Sequence, residues 1–165
     1  MISIMASIST LTIQCDTREH SGQIERIEQQ FDALGVKHFR SKLFCGDYQS
    51  LDNARLVVDR KKDLQELCGN VCQQHDRFRA ELLRAQEHGI QIVVLCEHGG
   101  QITCLEDVYF WSNPRKRTSP KAMDGWKLFK VLNTMKDKYG VRFEFCDKRQ
   151  TGRRIVEILT DESVG

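Results

Sequence analysis

The sequence predicts one mixed α/β domain, a central sheet covered by helices. Three observations carry that expectation. Short apolar or alternating runs that read as strands are interleaved with segments of helical spacing, in the order strand, helix, three strands, helix, strand, helix, strand, helix. A run at 90–96 is apolar apart from Gln91, as a strand buried on both faces should be. The length of 165 residues, with 40% hydrophobic and 29% charged content, suits a single well-buried core. Internal repeats, low-complexity tracts and linkers are not apparent. The expected layout is an N-terminal arm over residues 1–10 and one domain over 11–162.

Residues 11–15 read as a short strand ending at Asp16. Over 22–34, Ile24, Ile27, Phe31 and Leu34 recur at helical spacing, and Gly35 stops the helix. Residues 36–44 alternate as a second strand. Gly46 turns the chain, and 47–50 with 54–61 form a hairpin around Asp52 and Asn53. A helix in one or two pieces follows over 63–88 and closes at Gly89. After the apolar strand, a short helix is expected at 106–111. A basic loop with both prolines spans 113–121, a helix 121–138, a strand 141–146, and a last helix 151–159.

The net charge of +2, from 25 basic and 23 acidic residues, is too mild to mark a nucleic-acid binder by itself, so local clustering must carry any such argument. The seven cysteines are odd in number and irregularly spaced, which fits reduced thiols in a cytoplasmic setting. Cys68, Cys72 and His75 could share a zinc ion, although packing explains the same residues and the paired spacing of zinc ribbons is absent. The first residues lack the pattern of a secretory signal, and no run approaches the length of a membrane span.

The chemistry concentrates in Gly46-Asp47-Tyr48 and in Leu56-Val57-Val58-Asp59-Arg60-Lys61. Residues two apart on a strand share a face, so Asp59 and Lys61 lie side by side while Arg60 points the other way. The hairpin brings Asp47 toward them. Two carboxylates and an ammonium suit a magnesium ion, a water and a phosphate. A phosphodiester is a poor electrophile because its oxygens are negative, so its hydrolysis needs charge neutralisation, an activated water and in-line positioning. Asp47 and Asp59 are the expected metal ligands, and Lys61 positions or activates the water. The bland alternative is a turn aspartate and a solvated charge cluster at a strand end.

These motifs resemble those of the XPF and Mus-type (ERCC4-like) structure-specific nucleases, a branch of the PD-(D/E)XK superfamily. Cys15-Asp16-Thr17-Arg18-Glu19 resembles the family's Val-Asp-x-Arg-Glu, Gly46-Asp47-Tyr48 its Gly-Asp-Tyr, and Val58-Asp59-Arg60-Lys61 its Val-Glu-Arg-Lys. The helix with Asp76-Arg77-Phe78, the strand ending at Glu97, and the last strand and helix over 143–159 follow in family order. The resemblance implies a restriction-endonuclease-like sheet and a metal-dependent endodeoxyribonuclease acting on duplex or branched DNA in repair or recombination. It implies magnesium as cofactor, with manganese able to substitute. Catalysis falls to Asp47, Asp59, Arg60 and Lys61, with Arg60 in support, and Asp16 and Arg18 lie at the rim of the site.

The chain departs from the family pattern in three places. Asp59 stands where a glutamate is usual. The acid expected six positions later falls on Gln65, with Asp63 and Glu66 nearby as substitutes of the wrong spacing. The paired helix–hairpin–helix module is missing, which leaves a homodimer open and suits a phage or mobile-element enzyme working in the host cytoplasm. Arg77, Arg115, Lys116, Arg117 and Lys121 are the expected DNA-binding residues, against the alternative of a solvated helix face and loop. A catalytically inactive DNA-binding or partner module on the same fold is the competing reading.

Overall fold

The computed structural model describes residues 8, 10–18 and 21–161. Glu19 of the first motif, most of the arm at 1–10 and the domain end at 162 lie outside the described residues. The sheet has six strands: β1 (Thr12–Cys15), β2 (Lys37–Arg40), β3 (Tyr48–Ser50), β4 (Asn53–Lys61), β5 (Gln91–Cys96) and β6 (Arg142–Phe145). Their order across the sheet is β2-β1-β3-β4-β5-β6. Pairing is mixed. β3 runs antiparallel to both its neighbours, while β1–β2, β4–β5 and β5–β6 are parallel.

Among the described residues, the α-helices that cover the two faces are α1 (Ser21–Ala33), α2 (Leu64–Cys72), α3 (His75–Glu87), α4 (Gly125–Tyr139) and α5 (Thr151–Leu159). The alternation along β4 and β5 sorts two cores. Leu56, Val58, Val93 and Leu95 pack with Ile27 and Phe31 of α1 and Ile155 and Ile158 of α5. Val57, Ile92, Val94 and Cys96 pack instead with Leu64 and Leu67 of α2, Phe78 and Leu82 of α3, and Leu128 and Leu132 of α4. Burial on both sides is why β5 reads as an unbroken apolar run. It also fixes the orientation of β4, because a one-residue slip would turn every charged side chain at its end to the wrong face.

Two local expectations need correction, and a third is decided between its two forms. The second strand stops at Arg40 rather than 44. Beyond it the Leu43 amide donates to Asp16 Oδ1 at 2.8 Å and the Leu43 carbonyl accepts from Arg18 at 3.0 Å, so side chains rather than a ladder satisfy this backbone. The helix at 63–88 is two helices, broken at Gln73 and Gln74, whose amides both turn back to the Gly69 carbonyl. The basic loop is not wholly irregular: Pro114–Arg117 makes a 3-10 turn, as does Leu105–Phe110 before it.

Candidate active site

Gly46 has φ +72, and a Cβ there would lie 3.0 Å from two carbons of the Val57 side chain. Only glycine takes both the left-handed backbone and that approach without strain. The turn delivers Asp47 into the middle of the sheet end. Its amide donates to the Val58 carbonyl at 2.8 Å, its carbonyl accepts from the Asp16 amide at 2.8 Å, and its carboxylate Oδ2 accepts from the Arg60 amide at 2.7 Å. Asp47 thereby ties the end of β1 to the end of β4.

On β4, Asp59 and Lys61 face the α2–α3 side, with Lys61 Nζ 3.3 Å from Asp59 Oδ2. The Phe78 ring of α3 lies 5.5 Å from the same ammonium. Burial pushes the Lys61 pKa down, but Asp59, Asp47 and Glu66 outweigh it and hold the group above the usual lysine value. Lys61 is therefore a fixed cation near neutral pH, suited to orienting a water or a phosphate oxygen and unsuited to accepting a proton. A cleft of about 450 Å³ opens beside these residues. Asp47 and Asp59 line it, with Asp16, Arg18 and Arg77.

Asp16 and Arg18 are paired at 2.8 Å, the carboxylate buried and the guanidinium about half exposed. They clamp the Leu43 segment and present Arg18 to the cleft. Arg60 is placed differently. Its buried guanidinium points to the opposite face and pairs with Glu97, which also binds Arg26 of α1 at 2.6 Å and accepts from the Thr151 hydroxyl of α5. Arg60 does not line the cleft, and its amide donates to Asp47.

Among the charged residues that line the cleft, Glu81 and Arg84, both on α3, were missed in the sequence. Glu81 of α3 enters the same cleft, 3.4 Å from the Gly46 amide. Burial and the nearby Asp59 raise its pKa above the ordinary carboxylate value. A carboxylate four residues after Arg77 and flanked by the apolar Phe78 and Leu82 was the available signal, since it borders a helix's buried stripe.

Asp63 and Glu66 do not replace the acid that falls on Gln65. Asp63 caps α2, its Oδ1 accepting from the Glu66 amide at 2.8 Å, while Glu66 accepts from the Lys62 amide at 2.7 Å. This is a variant of the capping box, with the Lys62 amide in place of the N-cap amide, and it engages both carboxylates at the helix start. Cys68 and Cys72 have sulfurs 4.0 Å apart, but His75 does not join them. Among the described residues no three His, Cys, Asp or Glu side chains gather as a metal cage, so the zinc scaffold has no geometric support.

The expected DNA-binding residues divide. Arg77 lines the cleft. Arg115, Lys116 and Lys121 line a separate cavity of about 420 Å³ between α2 and the basic loop. A depression over residues 72–77 lies between them, with Arg77 in common with the cleft and Cys72 and Gln73 in common with the loop cavity. Arg117 is exposed and does not line that cavity.

Asp47 and Asp59 supply hard oxygen donors at one cleft, and a magnesium ion that keeps several waters needs only one or two carboxylates. The residues present fit such an ion.

A mixed six-stranded sheet with helices on both faces and acids at the end of its central strands is the architecture of the XPF nuclease fold. The chain belongs to the ERCC4 domain family, whose model matches residues 15–157. Among solved structures, XPF from Aeropyrum pernix is similar with a TM-score of 0.59 and 21% identity, covering 90% of this chain and 59% of that one. XPF from Aeropyrum pernix in complex with DNA is similar with a TM-score of 0.63 and 20% identity, covering 93% of this chain and 64% of that one. The chain thus spans about three fifths of the length of these two structures. No curated protein matches it. Among the described residues no helix is long and apolar enough to cross a membrane.

Proposed function

We propose that this chain is a magnesium-dependent endodeoxyribonuclease that hydrolyses phosphodiester bonds in duplex or branched DNA during repair or recombination. The observation that carries this reading is the Asp59–Lys61 pair, 3.3 Å apart on one face of β4 and bordering a cleft that Asp47 also lines. Membership of the ERCC4 domain family supports it, as does the likeness to an XPF structure that holds DNA.

Asp47 and Asp59 would hold the ion. Bound there, magnesium would neutralise phosphate charge and lower the pKa of a coordinated water. Asp47 is pre-set for this by the Arg60 amide, which fixes one carboxylate oxygen. Lys61, kept protonated, orients the attacking water and offsets the charge growing on the phosphate. Arg18 and Arg77 at the cleft wall hold the phosphates on either side. The expected products carry a 5′-phosphate and a 3′-hydroxyl.

Cleavage of linear, flap, fork and four-way DNA, with magnesium and with chelator, tests the proposal. Asp59→Ala should cut at least about a thousandfold more slowly, the loss of roughly 4 kcal/mol of transition-state stabilisation. Its far-UV circular dichroism should match the parent's, showing an intact fold. Wild-type rates in that variant would refute the site. DNA binding with no metal-dependent cleavage by the parent chain would leave the inactive-module reading in its place.

A further inference from the structure

We infer that Gln65 is a positioning residue for nucleic-acid binding: its amide latches the basic loop at 113–124 to α2 through Asn113. The inference rests on the nuclease reading above, and it explains the residue at which this chain departs from the family pattern.

Asn113 is only 5% exposed, and its amide is fully engaged. Oδ1 accepts from Gln65 Nε2 at 2.7 Å and from the Arg115 amide at 3.0 Å, while Nδ2 donates to the Met123 carbonyl at 2.8 Å. The two backbone partners fix which way the amide faces. A backbone N–H can only donate and a carbonyl can only accept, so Oδ1 must face Arg115 and Nδ2 must face Met123. The group at position 65 must therefore donate. Glutamine does so, whereas a carboxylate would set oxygen against oxygen at a half-buried site.

The same asparagine joins the start of the loop, at Arg115, to its end, at Met123. Lys116 Nζ and Asp124 Oδ1, 2.5 Å apart, make a second tie across it. The loop is thereby a closed unit, tied to the helix that begins three residues after Lys61 by the Gln65–Asn113 hydrogen bond and by the contact of Cys72 Sγ with Met123 Sδ at 3.9 Å. It carries Arg115, Lys116 and Lys121 around a cavity separated from the acid-lined cleft by the depression over residues 72–77, which Arg77 lines together with the cleft. Detached from α2, those cations would no longer stand at a fixed distance from the cleft, and fewer would meet backbone phosphates at once.

The test is duplex binding measured by fluorescence anisotropy in chelator over a salt series, for the parent, Gln65→Leu, an Arg115→Gln/Lys116→Gln/Lys121→Gln variant and the combination. Each lost phosphate contact lowers the slope of log K against log salt by about 0.9. Gln65→Leu should lower it by about 1 to 2, and the combination should lose no more than the loop variant alone. A slope unchanged in Gln65→Leu, or losses that simply add, would overturn the inference. A role confined to folding would lower Tm and leave the slope intact, which also counts against it. Tryptic nicking after Arg115, Lys116, Arg117 or Lys121 in the DNA-free chain separates the latch from the nuclease reading. Gln65→Leu and Gln65→Glu should both nick at least about tenfold faster, because local opening of about 1.4 kcal/mol lower cost exposes the loop. Unchanged nicking refutes the latch. Faster nicking with no DNA affinity in the parent would keep the latch and refute the nuclease reading together with the binding role drawn from it.

Discussion

Asp59, Arg60 and Lys61 are adjacent in sequence and serve opposite sides of the sheet. The odd pair lies on the α2–α3 side, where Asp59 lines the cleft and holds Lys61; Arg60 faces α1 and α5 and there pairs with Glu97. A charge buried that way acts on the fold. Arg60→Met should cost about 3 kcal/mol by denaturant titration, the low end for breaking a buried pair, because Arg26 and Thr151 still serve Glu97. The Arg60 amide bond to Asp47 survives the change, so cleavage per folded molecule should stay within about threefold of the parent. A catalytic guanidinium would instead show as a large fall in rate with little loss of stability. Glu81 offers the converse case. Its pKa is raised by burial and by Asp59. A carboxyl with a folded pKa above its unfolded one favours the folded state fully only below the unfolded value, and that contribution is lost as pH rises through the folded value. Glu81→Gln should therefore raise Tm relative to the parent at pH 7, with the gap closing as pH falls below about 4. An equal gap at both pH values would refute the buried-acid assignment.

The hairpin β3–β4 is the element on which the cleft depends. Its strand spacing and apolar alternation are legible in the sequence, and so is the face on which Asp59 and Lys61 emerge, since period-two geometry allows no other answer. The last helix is legible for the same kind of reason: Ile155, Ile158 and Leu159 make one stripe, and α5 covers Thr151–Leu159 as expected. What periodicity could not show is where a backbone finds its partners. Residues 41–44 alternate like a strand, yet Asp16 and Arg18 capture them from across the fold. Gln73 and Gln74 carry no helix-breaking signal, and the break between α2 and α3 comes from packing on the sheet. The capping box at Asp63 and Glu66 was present as sequence but was weighed only as a candidate for the missing acid. Gly46 is the element's weak point. Gly46→Ala should cost about 1–2 kcal/mol for the left-handed backbone, with more from the contact against Val57. Because the turn sets the Asp47 carboxylate against the Arg60 amide, cleavage should fall further than the folded fraction accounts for. Activity that simply tracks the folded fraction, measured at a denaturant concentration below the transition, would show that the turn is only structural.

Across the whole molecule, the topology gathers parts that are far apart in sequence. β1 and β4 end where the antiparallel β3 begins, so Asp16, Asp47 and Asp59 meet at one rim although the chain passes through a helix and a hairpin between them. α3 closes that rim with Arg77 and Glu81, and the depression over residues 72–77 leads on to the basic loop. The net charge of +2 conceals this arrangement, because the acids line the place where a cation would sit and the bases line the approach to it. A nucleic acid lying along the groove would feel Arg77, then Arg115 and Lys116, but not Arg117, which is exposed outside the loop cavity. The four residues thus become distinguishable. Neutralising Arg77, Arg115 and Lys116 together should lower the salt slope of duplex binding by up to about 3, close to 0.9 for each contact, whereas Arg117→Gln alone should leave it within about 0.3 of the parent. A uniform loss across all four would mean that the bases act only as a diffuse positive field, with no defined track. A loss confined to Arg77 would restrict the bound backbone to the acid-lined cleft and return the loop to solvent.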